Sequence, residues 1–179
     1  CPWNRVRPFS MRKIVRQAAF GLTEIEGEEI WRCSTCGTCP TRCPRGVDQI
    51  ALGVSLRRIA TEYGVFPDSV TPVVTVAASL RAEGNPFDIQ RAKRADWAEG
   101  LSVKTYTEGM EILYFPGCYL SYDPRLKKVA AATAKILNRA GVDFGILGTK
   151  ESCCGESIRK TGNEETFRYL ARENIKAFI

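Results

Sequence analysis

Four cysteines crowd into eleven residues, Cys33-Ser-Thr-Cys36-Gly-Thr-Cys39-Pro-Thr-Arg-Cys43, with Pro44 directly behind. The spacing is C-x2-C-x2-C-x3-C-P. Two intervening residues allow a turn that brings successive thiolates to adjacent corners of one cubane [4Fe-4S] cluster. The fourth cysteine, followed by proline, points away toward another cluster. A four-cysteine zinc site ordinarily uses two pairs separated by a longer loop. A disulfide framework belongs to small secreted chains, and the adjacent Cys153-Cys154 suits one poorly. Iron–sulfur ligation therefore outranks both.

The chain has eight cysteines and no histidine among 179 residues. Without histidine there is no Ser/His or Cys/His catalytic arrangement, and no histidine-ligated zinc, haem or non-haem iron. Any such chemistry falls to the cysteines. Lys and Arg number 26 against 20 Asp and Glu, a formal net charge of +6. Each four-thiolate cubane adds about −2, so the excess reads as compensation for clusters on a solvated surface. Nucleic acid is not an expected partner, because the basic residues form no sustained stripe interleaved with stacking aromatics. Neither G-x-G-x-x-G nor a P-loop occurs, so nucleotide binding is unsupported. The longest stretch without a charge runs from Ser69 to Leu80. Spanning a bilayer takes about 20 apolar residues, so this stretch is too short.

Cys1-Pro2 repeats the dipeptide that closes the run. It reads as the end of an earlier run whose first cysteines lie upstream. On that reading Cys1, Cys33, Cys36 and Cys39 hold one [4Fe-4S] cluster and Cys43 ligates a second. The start has neither an initiator Met nor the charged and apolar regions of a secretory signal. The other end, Ile179, falls inside a helical pattern. A piece of a longer chain is expected.

The expected fold is α+β in three parts: a mostly α-helical [4Fe-4S] ferredoxin-like domain (1–64), a helical connector (65–109), and the first part of a small cysteine-rich α/β domain (110–179). Ser10 suits a helix N-cap, Met11, Ile14/Val15, Ala18 and Leu22 keep helical spacing, and Gly21 can stop the helix. Asp48 can cap a helix with Leu52, Leu56, Ile59 and Tyr63 on one face, ending at Gly64. In the connector Pro67, Pro72 and Gly84-Asn85-Pro86 mark turns between helical pieces at about 69–83 and 88–98. Then Ile112-Leu-Tyr-Phe115 reads as a buried strand. Leu126, Val129, Thr133, Ile136/Leu137 and Ala140 read as a helix ended by Gly141. Phe144-Gly-Ile-Leu147 reads as a second strand, and Phe167, Leu170, Ala171, Ile175 and Phe178 as the stripe of a last helix. Strand–helix–strand–helix predicts a parallel pair.

Cys118 follows the first of these strands and Cys153-Cys154 the second, at the edge where open α/β sheets bind ligands. Gly117 and Gly155 beside them would let backbone approach a bulky ligand. From the residues alone this is either a metal site or a set of buried, inert thiols.

Phe115-Pro-Gly-Cys118, then Glu151-Ser-Cys-Cys-Gly155 and Thr161-Gly-Asn163, resembles the cysteine-rich CCG domain of the heterodisulfide reductase family of iron–sulfur oxidoreductases. Trp31-Arg-Cys33 through Cys43-Pro-Arg-Gly-Val-Asp48 resembles the two-cluster ferredoxin part of the same family, and Arg94-Ala-Asp-Trp-Ala-Glu-Gly-Leu101 its connector. The resemblance implies two ferredoxin-type cubanes and, at Cys118, Cys153 and Cys154, a non-cubane [4Fe-4S] cluster. The family's closing C-x-x-C and second CCG repeat would fall past Ile179, so this site is incomplete here. The implied activity is reduction of a disulfide of the CoM-S-S-CoB type. Electrons would come from a flavin- or cytochrome b-containing partner subunit. The alternative from the same resemblance is a non-catalytic electron-transfer subunit linking a flavin dehydrogenase to quinone. Clusters of this kind are oxygen-labile, so a cytoplasmic location in an anaerobe is expected, with the membrane reached only through a partner.

Arg32, Arg42 and Arg45 flank the first set of cysteines. A nearby cation favours the more negative reduced cluster and would raise its potential. Equally, the three arginines can simply face solvent.

Overall fold

The structure is a computed structural model that describes residues 1–21 and 27–179; Leu22, expected in the first helix, lies outside them. In chain order the helices are α1 (Met11–Ala19), α2 (Thr38–Thr41), α3 (Gln49–Glu62), α4 (Thr71–Thr75), α5 (Ala77–Glu83), α6 (Gly117–Tyr122), α7 (Lys127–Arg139), α8 (Glu156–Lys160) and α9 (Glu164–Phe178). The strands are β1 (Lys104–Thr105), β2 (Ile112–Leu113) and β3 (Phe144–Ile146). The chain divides into two compact units, Cys1–Thr75 with Glu156–Glu164 and Val76–Gly155 with Glu165–Ile179.

The first unit is helical. Ser10 caps α1, its hydroxyl accepting from the Lys13 N–H. Asp48 caps α3, one carboxylate oxygen accepting from the Ile50 and Ala51 N–H groups at 3.0 Å each. Such a cap satisfies amides that a helix start leaves without partners. Phe9, Met11 and Ile14 pack against Ile30, Leu56 and Ala60, and Cys33 and Cys39 sit at the border of that core. The buried face of α3 is Gly53, Leu56, Arg57 and Ala60. The expected face is therefore corrected: Ile59 and Tyr63 are exposed. The cause is Arg57, whose guanidinium turns inward. It donates to the carbonyls of Ile30, Cys33 and Lys160 at 2.6–3.0 Å and lies over the Trp31 ring. A periodicity argument assigns arginine to solvent and so rotates the helix wrongly.

The second unit is α/β. Its sheet has the order β1-β3-β2, with both pairs parallel. Lys104 pairs with Gly145 and Thr105 with Ile146, while Ile112 pairs with Phe144 and Leu113 with Gly145. The expected parallel pair is present, and β1, inside the expected connector, adds a third strand. Central β3 is buried throughout. Gly145 is required there, since a Cβ would lie 2.5 Å from the Tyr106 Cα. β2 is shorter than expected and Ile112 is exposed, because the strand lies at a sheet edge.

Two helix faces also differ from the pattern. On α7 the core-facing residues are Ala130 and Ala134, and Val129 and Ile136 are exposed. On α9 they are Thr166, Leu170 and Asn174, with Ile175 and Phe178 exposed. Small and polar residues thus occupy contact faces where large apolar ones were expected. The two expected helical pieces of the connector are α4 with α5 and a 3-10 stretch at Arg91–Ala98. No helix of the described residues is long and apolar enough to cross a membrane.

Candidate iron–sulfur sites

In the first unit the cysteine run bends through two left-handed residues, Thr35 and Gly37, the latter preceding α2. These turns face polar donors toward sulfur. The Thr35 N–H reaches Cys33 Sγ at 3.4 Å, and the Thr38 hydroxyl lies 3.3 Å from Cys36 Sγ. Hydrogen bonds to the charged form lower a thiol pKa. Cys36 is accordingly held below the ordinary thiol value, first by Thr38. Cys43 is held below it by the backbone of Val47 and Arg45. Cys1, Cys33, Cys36 and Cys39 line one small cavity beside Trp3 and Met11. Cys43 lines a second cavity of about 580 Å³ with Arg42, Arg45 and Pro44, and Cys1 and Cys39 border it too. Arg42 and Arg45 are exposed, and Arg32 is paired with Glu28 at 2.8 Å.

Among the described residues no three Cys, Asp or Glu side chains converge to hold a single metal ion. The four thiols instead line a cavity wall, an arrangement suited to a body that offers irons at separate corners. The donor set fits such a cluster: soft sulfurs, no carboxylate in the lining, and hydrogen-bond donors on two of them.

In the second unit the chain passes from β2 through Pro116 into α6, whose first turn carries Cys118. The Cys118 sulfur is buried, with Arg94 Nη2 donating to it at 3.4 Å and the Gly84 carbonyl 3.8 Å away. The neighbouring Cys153 thiol holds Cys118 below the ordinary thiol value, with Arg94 adding to it and burial opposing, and Cys118 in turn pushes Cys153 up. The Gly155 N–H points at Cys153 Sγ at 3.4 Å. Cys154 is exposed. Asn174 of α9 fixes this loop, accepting from the Ser152 N–H at 2.9 Å and donating to the Cys153 carbonyl at 3.1 Å. On the other side, Arg94 and Glu151 form an ion pair at 2.8 Å. Burial alone would lower the Arg94 pKa, but Cys118 and Glu151 more than offset it and keep the guanidinium charged. One turn beyond Cys118, the Ser121 hydroxyl is fully buried and has no hydrogen-bond partner among the described residues. The donors are again soft sulfurs beside fixed polar groups, as an iron–sulfur cluster requires, although among the described residues Cys118, Cys153 and Cys154 do not converge on a single point.

Sequence reasoning missed Arg57 and Asn174, and quoted Arg94 and Glu151 without giving either a part. The available signal was weak: an Arg-x-x-Trp in a turn-rich stretch, and a polar residue on an apolar helix stripe.

Two family models match the chain. One, described as a 4Fe-4S dicluster domain, covers residues 1–48, and one described as the cysteine-rich domain CCG covers residues 112–179. The chain thus carries the two iron–sulfur and cysteine-rich domains that these models describe, and its relatives include heterodisulfide reductase subunits. Its cofactors are [4Fe-4S] clusters. It is 34% identical to the EtfAB:quinone oxidoreductase of Syntrophomonas wolfei, over 88% of this chain and 23% of that protein. It is 38% identical to the "probable iron-sulfur-binding oxidoreductase FadF" of Bacillus subtilis, over 86% of this chain and 23% of that protein. It is 31% identical to one of the subunits of the dihydromethanophenazine:CoB–CoM heterodisulfide reductase of Methanosarcina mazei, over 91% and 41% respectively. The chain thus spans less than half the length of these relatives. No solved structure matches it.

Proposed function

We propose that this heterodisulfide reductase-like segment relays electrons within a larger oxidoreductase, and that its CCG half serves the reduction of a disulfide. In this reading Cys1, Cys33, Cys36 and Cys39 hold one [4Fe-4S] cluster, and Cys43 contributes to a second. Cys118, Cys153 and Cys154 contribute to a non-cubane cluster completed by residues of the longer protein. When bound, such clusters supply single-electron transfer at potentials set by charge, burial and hydrogen bonds to sulfur.

The chain's own residues do three things. The 33–43 loop presents sulfurs with backbone and hydroxyl donors already aimed at them. The Glu151–Gly155 loop, tied down by Asn174, holds Cys153 beside Cys118. Arg94 keeps a fixed positive charge against the Cys118 sulfur. The observation that carries the reading is the buried Cys118 sulfur, held at 3.4 Å by the Arg94 guanidinium, with the Gly84 carbonyl that faces it also accepting from the Cys153 N–H. A disulfide takes up two electrons and two protons to give two thiols, so a partner subunit with a flavin or a cytochrome b would have to supply the electrons.

A second reading is favoured by the relatives at 34% and 38% identity: the segment passes electrons from a flavoprotein toward quinone, and the CCG half is one stage of the relay. The two readings part on the acceptor. The full-length protein would be reduced without oxygen and then offered a disulfide or a quinone, with reoxidation followed by visible absorbance. Disulfide-dependent reoxidation is expected. Reoxidation by quinone alone removes the first reading and leaves the second.

A further inference from the structure

Arg94 and Glu151 are each 1% exposed. Arg94 donates Nε and Nη2 to Glu151 Oε1 at 3.1 and 2.8 Å, and Nη1 to the Gly84 carbonyl at 3.2 Å. Nη2 also donates to Cys118 Sγ at 3.4 Å. The guanidinium carbon lies 5.6 Å from the centre of the Tyr122 ring. Glu151 Oε1 accepts in addition from the Gly117 N–H at 3.1 Å, and the Gly84 carbonyl accepts from the Cys153 N–H at 2.7 Å. One guanidinium thereby joins three segments: the Gly84 turn, the start of α6, and the Glu151–Cys153 loop.

A buried ion pair is a poor device for stability alone. Desolvating both charges costs about as much as their attraction returns, and apolar replacements often serve as well. A purely architectural role would account for Glu151 and Gly84. It would not account for an N–H of the same fork aimed at a cysteine sulfur. A positive donor on a ligand sulfur favours the more negative, reduced form of an iron centre and so raises its potential. Glu151 has the opposite effect, because it partly cancels the guanidinium charge. Lysine could not substitute, since a single ammonium lacks the planar fork that meets a carboxylate, a carbonyl and a sulfur together.

We propose that Arg94 is a positioning residue that fixes the Cys118 sulfur and, with Glu151 as its counter-charge, sets the reduction potential of the iron centre this sulfur ligates. The proposal rests on the reading of Cys118 as a CCG-cluster ligand. Arg94 and Gly84 lie outside residues 112–179, the part matched as CCG. The stretch before the CCG domain is therefore a working part of its site.

The test uses the iron-loaded, full-length chain, with iron content and EPR-monitored redox titration as readouts. Arg94→Gln is expected to lower the potential of the CCG centre. The expected change is about tenfold in the reduced-to-oxidised ratio, about 59 mV for a one-electron couple. Glu151→Gln, which still offers a carbonyl oxygen to the Gly117 N–H, is expected to raise it. Arg94→Lys is expected to fall between Arg94→Gln and the parent. Opposite shifts from the two neutralising variants are a signature that lost packing alone does not produce. Unmoved potentials in folded, fully loaded variants overturn the proposal. Should the variants not fold, the unaltered chain with isotope-labelled arginine decides. A magnetic coupling between the paramagnetic CCG centre and an arginine nitrogen supports the contact, and its absence overturns it. Cys118→Ser separates the two levels. If that variant keeps all of its iron and an unchanged signal, the ligand reading itself fails, whatever Arg94 does.

Discussion

Each unit buries one arginine beside its cysteines, and the two are used differently. Arg57 of the first unit reaches the Cys33 carbonyl, so it holds the backbone and leaves the sulfurs to the loop's own amides and hydroxyls. Arg94 of the second unit reaches a sulfur directly and brings a buried carboxylate with it. The sulfurs of the first cysteine run take their hydrogen bonds from neighbours two residues away, Thr35 and Thr38, and Arg57 reaches only the backbone. The second takes its shape from residues 21 to 57 positions away, namely Asn174 and Arg94. A site coded by local turns tolerates change elsewhere in its unit. A site coded by distant contacts inherits every defect of the fold.

The comparison can be broken in order of expected effect. Arg94→Ala leaves Glu151 buried and unpaired, and breaking a buried pair costs about 3–5 kcal/mol. Denaturant unfolding of the second unit should show that loss, and a change below 1 kcal/mol would mean the pair is not structurally coupled to the site. Asn174→Ala leaves the Ser152 N–H and the Cys153 carbonyl without partners, at about 1–3 kcal/mol. Amide exchange at Ser152 should accelerate, while exchange at Thr35 in the first unit stays as it was. Asp48→Ala removes the α3 cap for about 1 kcal/mol without altering the spectrum of the first unit's cluster; a changed spectrum would show that the 33–43 loop depends on more than its own turns.

Arg42→Gln should lower the first unit's cluster potential by less than Arg94→Gln lowers the second's. Arg42 is exposed and screened, and its effect should fade as salt rises. A shift as large as that of Arg94→Gln would erase the distinction, and an unchanged potential in an EPR titration would show that Arg42 merely faces solvent. The smallest effect concerns Asp123, held below the usual carboxylate range first by Arg125. A depressed carboxylate stabilises the fold above its unfolded pKa, and that contribution is lost as pH falls through the folded value. Asp123→Asn should therefore flatten the acid side of the second unit's melting profile and leave the neutral side nearly unchanged.

What the sequence disclosed follows the same division. The run Cys33 to Cys43, the Asp48 cap and the Gly64 stop are encoded within a few positions each, and turn chemistry and capping make them readable. The parallel pairing of Phe144–Ile146 was readable from a short apolar run. Its third partner at Lys104–Thr105 was not, because a two-residue edge strand with exposed side chains carries no pattern. The buried faces of α3, α7 and α9 were misread wherever the core contact is Arg57, Ala130 or Asn174. Hydrophobic periodicity gives such residues to solvent or leaves them unweighted. At the candidate sites the sulfurs were found by counting. The groups that hold the second set were not, since a buried arginine is indistinguishable in sequence from a solvated one.

Gly84 has no side chain and a left-handed backbone, yet its single carbonyl oxygen faces Arg94 Nη1 at 3.2 Å, the Cys153 N–H at 2.7 Å and Cys118 Sγ at 3.8 Å. A junction made of backbone cannot be retuned by exchanging one functional group for another. An added Cβ would crowd Arg91 Nη2 at 2.6 Å, which can swing aside, but it would also strain the left-handed backbone at φ +67°, so substitution acts on the chain that carries the oxygen. Evolutionary adjustment of this centre is thereby channelled into the charges around the oxygen, while the oxygen itself stays a fixed point of the architecture.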